Sequence, residues 1–254
     1  MDNMKDSINA TRKGFEESFA SGEFYNKQTQ DEKHLSDILE FLPIKDGMKI
    51  LDLGTGSGYL AFPIAKGNPK VIVVGLDIVE KTLKSNEKKS KEYGINNISF
   101  VPYDGINFPF ENEESDIVIS RYVLHHFPDI NWSMGEIARV LKKNGKLFIS
   151  DPAPDNADKT GFVDDFMRMK PDGHIKFYSK EEWINICGKS GFKYDDNFES
   201  RIRFPRKREE SVEFDNLVKK HGEAVLQGYD IEVTGEEIYI TEGVNNMLFT
   251  KGIF

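Results

Sequence analysis

A single cysteine, Cys187, stands among 254 residues, and that scarcity excludes a good deal. No internal disulfide can form, and no thiolate cluster can hold zinc or an iron–sulfur centre. One thiol is also what a reducing cytosol permits. Long hydrophobic runs are missing: no apolar stretch approaches the ~20 residues that a transmembrane helix needs. The opening MDNMKDSINATRKGF has charges but no apolar core behind them, so no secretory leader is expected and a cytoplasmic location is. Positive charge is in deficit, with 34 Lys and Arg against 43 Asp and Glu and a net charge of -9. Nucleic-acid and anionic-membrane surfaces want the reverse, so the expected partner is a small molecule, with no nucleic acid and no membrane. The densest basic run, Arg201–Arg208, is closed at once by Glu209 and Glu210. With 38% hydrophobic and 30% charged residues, the chain reads as globular with a wet surface rather than disordered.

What is present is an alternation of strand and helix. Lys49–Leu53 is a short apolar strand, followed by a helix over Tyr59–Ile64. Val71–Leu76 is β-branched and apolar throughout, as a strand buried on both faces requires. A Lys-rich helix over Lys81–Tyr93 precedes three more strands, Ile98–Val101, Asp116–Ser120 and Lys146–Ser150. Between the last two, Ile137, Val140 and Leu141 mark the buried face of a helix over Trp132–Lys143, stopped by Asn144–Gly145. Five strands alternating with helices imply an α/β, doubly wound parallel sheet. Residues 1–45 read as helical, with Leu35, Ile38, Leu39 and Leu42 as an amphipathic stripe. Residues 152–178 break the rhythm with the aromatic Phe162–Met169. Ser179–Glu182 is a capping box opening a helix through Cys187. A strand over Phe192–Arg203, a helix over Glu210–Gln227 and a strand over Glu237–Thr250 complete one expected domain, 1–254.

The chemistry concentrates in Ile50–Gly58, ILDLGTGSG. A buried strand runs straight into Gly54, Gly56 and Gly58, a turn where backbone can approach a ligand closely. Tyr59 stands where a dinucleotide fingerprint wants its last glycine, and Asp52 would repel a pyrophosphate. Both disfavour a nicotinamide-cofactor oxidoreductase and favour a ligand with a positive group. Asp77 ends the second strand at the separation expected for a carboxylate that holds ribose hydroxyls; its plain alternative is a helix N-cap. Asp104, before Gly105, ends the third strand, with an ordinary turn aspartate as an equal alternative.

Together these segments resemble the class I S-adenosylmethionine-dependent methyltransferases. ILDLGTGSG is similar to their first motif, Gly75–Ile78 (GLDI) to the second and Pro102–Gly105 (PYDG) to the third. Ser120–Asp129 and Glu136–Asp151 resemble the later segments of the small-molecule branch, which includes ubiquinone- and menaquinone-type enzymes. The resemblance covers roughly 35–151, the cofactor-binding half, and leaves 1–34, 152–178 and 204–235 as lid or substrate-side additions. It implies a Rossmann-like seven-stranded sheet with an antiparallel last strand, supplied by the C-terminal strand pair. It also implies S-adenosylmethionine as cofactor, with Asp52 near its ammonium over the Gly54–Gly58 loop. Asp77 would take the ribose, Ile78 the adenine face, and Asp104 with Gly105 the adenine edge. Ser120 and Arg121 would face the amino-carboxylate end.

Methyl transfer from a sulfonium needs alignment and exclusion of water, and a base only if the nucleophile carries a proton. His125 and His126 are the candidates for that base, against the plainer reading of packed or pocket-lining histidines. Phe15, Phe19, Phe24 and Tyr25 are placed to close over a cation. Phe162, Phe166, Met167, Met169, His174, Phe177 and Tyr178 line a cavity or form the lid's core. Arg201–Arg208 is either an anion site or a charged edge strand. No metal is expected, since Asp151 and Asp155 are too few acids for a catechol-type site. The expected activity is methyl transfer to a small, partly apolar molecule. The alternative is a non-catalytic S-adenosylmethionine-binding module with a protein partner.

Overall fold

The computed structural model describes residues 2–21, 31–170, 172–207 and 211–252. Five parallel strands form the frame: β1 (Lys49–Leu53), β2 (Ile72–Asp77), β3 (Ile98–Pro102), β4 (Ser115–Arg121) and β5 (Leu141–Ala153). They are ordered β3-β2-β1-β4-β5, so the chain reverses its winding beside β1, where open α/β sheets place ligands. Side chains alternate between faces along each strand. Leu51 and Val118 enter one core, with Met134 and Ile137 of α5 (Ile130–Val140). Ile50, Ile117 and Ile119 enter the other, with Ala61 and Ile64 of α3 (Ala61–Gly67). Both faces are therefore dry, which is why the strands are apolar without alternation.

Helix α4 (Glu80–Glu92) links β2 to β3, whereas residues 103–114 cross to β4 without a helix. The stripe Leu35, Ile38, Leu39 and Leu42 does face the second core, from α2 (Glu32–Phe41). That helix is pinned by His34, whose Nε2 lies 2.9 Å from Asn246 Oδ1, itself accepting from Ser150 Oγ at 2.7 Å. Preceding it is α1 (Asp2–Ser21). The capping box at Ser179 and Glu182 opens α7 (Lys180–Lys189).

Beyond β5 the sheet turns antiparallel. β8 (Glu237–Lys251) inserts between β5 and β6 (Phe192–Lys207), antiparallel to both. The sheet has eight strands rather than seven because the two-residue β7 (Glu232–Val233) also pairs with β8. Pairing of β5 with β8 ends at Ala153 and Gly243, while β6 and β8 continue together to Lys207 and Glu237. This extension of β6 and β8, with β7 along part of β8, projects past the carboxyl edge of the parallel strands.

It carries a third core with α6 (Phe162–Arg168), α8 (Ser211–His221) and α9 (Ala224–Gly228), where Phe162, Phe166, Phe214, Tyr229, Ile238 and Ile240 are buried together. Among the described residues, 204–207 and 211–235 thus pack with α6 around this core. The single helix expected over Glu210–Gln227 is two, because Gly222 takes a left-handed φ of 86° and breaks it. The expected Trp132–Lys143 helix also ends early, at Val140. Leu141 is extended there and pairs with Ser115 at the head of β5, so Asn144–Gly145 lies within the strand span.

Candidate active site

The turn after β1 is built from left-handed glycines, with φ of 69° at Gly54, 50° at Gly56 and 78° at Gly58. A Cβ on Gly54 would overlap the Val123 side chain beyond β4, so the turn is pressed against its neighbouring strand end. Gly54 and Thr55 donate their amides to the Leu76 carbonyl at 2.7 and 3.1 Å, tying the turn to β2. Asp77 continues that tie. Its Oδ2 accepts from the Gly56 amide and its Oδ1 from the Val79 amide, each at 2.9 Å. The N-cap of α4 is Val79, without a side-chain cap; Asp77 instead holds the amide of that residue in a local turn and pins the glycine turn as well. Burial pushes its carboxyl above the usual range, and the backbone amides pull it back. Asp52 is 3% exposed and accepts from the Thr55 hydroxyl at 2.7 Å. Burial raises it to about 7, only partly offset by Thr55 and the Arg121 guanidinium.

One cavity of about 800 Å³ runs from this turn to the lid. Asp52, Gly54, Gly56, Asp77, Ile78 and Gly105 contribute to its wall. Arg121 does too, its guanidinium carbon 4.0 Å from the ring centroids of both Tyr59 and Tyr122. Three expected residues lie outside the wall. Gly58 is buried beside Phe62, and Ser120 is buried within the sheet at 1% exposure. Asp104 is exposed, and its carboxylate accepts from the Ile106 and Asn107 amides at 2.7 and 2.8 Å; the turn-aspartate alternative describes this geometry.

A 3₁₀ turn after β4, Leu124–His126, brings His125 and His126 to the same wall. His125 and His126 are 5% and 7% exposed and their rings lie 4.1 Å apart. His125 Nδ1 is 2.8 Å from Asp151 Oδ1; burial pushes the imidazole down to about 3 and the carboxyl well up, toward their neutral forms. His126 is likewise held neutral by burial, and its Nδ1 has no hydrogen-bond partner among the described residues. Phe15 of α1 meets its ring edge-on at 5.0 Å. His174 stands behind the pair, its Nε2 2.8 Å from Asp164.

Of the residues expected around a substrate, Phe15, Met167 and Phe177 line the cavity. Phe162 and Phe166 belong to the lid's core, whereas Phe19, Met169, His174 and Tyr178 lie outside the wall. Phe24, Tyr25 and Arg208 fall outside the described residues. The basic run is divided: Arg203 pairs with Asp230 and Glu232, while Arg206 is buried over the Phe166 ring and reaches the cavity. Wall residues that sequence reasoning missed include Asp172 and Glu242, and Ile8 and Thr11 of α1. Tyr59 was legible only as a missing glycine, not as a partner for Arg121. Among the described residues, no group of three or more His, Cys, Asp or Glu is placed to hold a metal ion. No described helix is long and apolar enough to cross a membrane.

A family model described as a methyltransferase domain matches residues 44–190, more than half of the chain. The chain belongs to that family and carries a methyltransferase domain. It is 26% identical over 175 residues to an uncharacterized methyltransferase, YcgJ, of Bacillus subtilis (strain 168), covering 68% of this chain and 65% of that one. It is 30% identical over 173 residues to a demethylmenaquinone methyltransferase of Staphylococcus carnosus (strain TM300), covering 66% of this chain and 70% of that one. The chain thus spans about two thirds of the length of these curated relatives. The crystal structure of the Bacillus subtilis YcgJ protein superposes with a TM-score of 0.75 at 20% identity, over 88% of this chain and 100% of that one.

Proposed function

We propose that this chain binds S-adenosylmethionine at the glycine turn and methylates a small, partly apolar molecule held at the histidine end of the same cavity. This cavity carries the reading, because its wall includes both the glycine turn with Asp77 and the buried histidine pair. Its volume of about 800 Å³ is in the upper part of the ~300–1,000 Å³ range of small-molecule sites, enough for two ligands side by side.

The residues fit such a cofactor. Gly54 and Gly56 let backbone come close. Asp52 is a buried acid lacking a full counter-charge, which an ammonium supplies. Asp77 keeps lone pairs beyond the two taken by backbone amides, and these suit ribose hydroxyls. Arg121 matches a carboxylate. Ile78 and Gly105 offer an apolar side chain and a bare backbone for a flat ring. Asp104 already serves its own turn, so no side chain is assigned to the adenine amino group.

When bound, S-adenosylmethionine supplies a methyl group on a sulfonium for in-line transfer. The chain's own work is to orient, to exclude water and to hold a proton. Met167, Phe177 and the lid behind them keep the acceptor end dry. His126, neutral and with Nδ1 free, can take a proton from a hydroxyl or amine as the new bond forms. His125, bonded to Asp151, packs against His126 and fixes its orientation. The test incubates the protein with S-adenosylmethionine and a metabolite extract and follows S-adenosylhomocysteine by mass spectrometry. Its appearance with a product one methylene heavier supports the reading. Binding without turnover in any extract supports the non-catalytic module instead, and no binding of either sulfur compound refutes both.

A further inference from the structure

We propose that the methyl acceptor carries a basic amino group, which Glu242 binds at the lid end of the cavity. The inference rests on reading the other end as the S-adenosylmethionine site. Glu242 lies on β8 next to Gly243, where the strand leaves β5 and enters the projecting ribbon. It is 1% exposed, contributes to the cavity wall, and its Oε1 has no hydrogen-bond partner among the described residues. A carboxylate so placed is costly to the empty protein and favourable to an occupant that satisfies it. Arg206, on the neighbouring β6, offsets its charge only in part, and Asp164 adds negative charge near it. Burial holds the carboxyl at about 8, so a cationic occupant would draw it into the charged form.

Glu242 does not act alone. His126 and Asp172 line the same cavity, and among the described residues His126 Nδ1 and Asp172 Oδ1 are buried without a partner. The other oxygen of Asp172 faces Lys170 at 3.5 Å. A carboxylate accepts, and so does the free nitrogen of a neutral imidazole. The Tyr122 hydroxyl, also unpartnered on this wall, can accept as readily as donate. These acceptor atoms call for hydrogen-bond donors, beside the guanidinium that Arg206 already brings to the same wall. An ammonium brings three donors and the charge that compensates Glu242. The same wall includes Met167, Phe177 and Phe204, which suit an aromatic or aliphatic body on that amine.

The test uses the full chain. Calorimetry first measures S-adenosylhomocysteine affinity, and the loaded protein is then titrated with phenethylamine against phenethyl alcohol and hexylamine against hexanol. The proposal expects at least one amine to bind tenfold or more tightly than its alcohol. It also expects Glu242→Gln to weaken that amine at least tenfold while S-adenosylhomocysteine affinity stays within twofold. Absence of amine binding, equal binding of the alcohols, or an amine preference that survives in E242Q overturns it. Should E242Q fail to fold, the amine–alcohol comparison on the parent protein decides alone. Should S-adenosylhomocysteine not bind, the cofactor reading fails, and the same comparison on the free protein still judges Glu242.

Discussion

Asp77→Ala separates two jobs that one carboxylate performs. Its oxygens accept from the Gly56 and Val79 amides at 2.9 Å each, so removal leaves two amides at the turn without acceptors. Hydrogen bonds to a charged group contribute about 1.5–3 kcal/mol apiece, a gross loss of roughly 3–6 kcal/mol. The substitution also relieves the burial that pushes this carboxyl upward, which lowers the net destabilisation to about 2–4 kcal/mol. For a chain of this size that corresponds to a melting temperature lower by about 5–15 °C. Losing the ribose contacts should in addition weaken S-adenosylhomocysteine by about 10–100-fold. Thermal unfolding followed by circular dichroism reads the first effect and calorimetry the second. A variant that melts with the parent and binds S-adenosylhomocysteine as tightly would refute the reasoning. A lowered melting temperature with unchanged affinity would leave Asp77 as a loop pin and remove it from the ribose.

Further perturbations probe neighbouring parts. Because Asp52 is raised to about 7, its proton must leave before it can pair with an ammonium. S-adenosylhomocysteine affinity should therefore rise with pH, by up to about tenfold per unit below 7. In the free protein the sign is opposite: folded Asp52 holds a proton that the unfolded chain releases near 4, so its contribution to stability falls as pH rises from about 4 to 7. Asp52→Asn should flatten both profiles, and a parent whose affinity is independent of pH would contradict the placement. Gly54→Ala should cost the ~1–2 kcal/mol of a left-handed residue plus the overlap with Val123, whereas Gly47→Ala, at a φ of 81° in open space, should cost the former alone. Equal losses of melting temperature in the two variants would count against a tight turn. His126→Gln should lower turnover by about 10²–10⁴ while leaving S-adenosylhomocysteine affinity unchanged, if Nδ1 takes the proton. Ser179→Ala should lose its capping box at a cost of about 1 kcal/mol, a drop of roughly 2–4 °C, without touching ligand binding.

The parts legible in the sequence are those that local chain physics determines. A run of buried strand followed by three glycines can hardly be anything but a tight turn, and Asp52 and Asp77 take their positions from the ends of the strands that carry them. The helix stripe of Leu35, Ile38, Leu39 and Leu42 is likewise a local pattern with one outcome. What escaped depends on segments far apart in the chain. Ile8, Thr11 and Glu242 meet in one cavity wall only because α1 and the β6–β8 ribbon converge there. Local competition hid other features. Asp104 finds its acceptor duty within three residues, in the turn it starts, and Leu141 leaves its helix because pairing with Ser115 outweighs one more helical turn. Gly222 divides what looks like one helix, a signal present in the sequence and read too lightly. The basic run shows both errors at once, since Arg203 is a surface charge pair and Arg206, three residues on, is buried against Phe166.

The most direct measurement of the central claim is calorimetric titration of the full chain with S-adenosylmethionine, S-adenosylhomocysteine and NAD. The glycine turn, the acid at Asp52 and the carboxylate at Asp77 predict one-to-one binding of both sulfur compounds, weakened in Asp77→Ala, and no binding of NAD. Binding of NAD, or silence with both sulfur compounds, would contradict it.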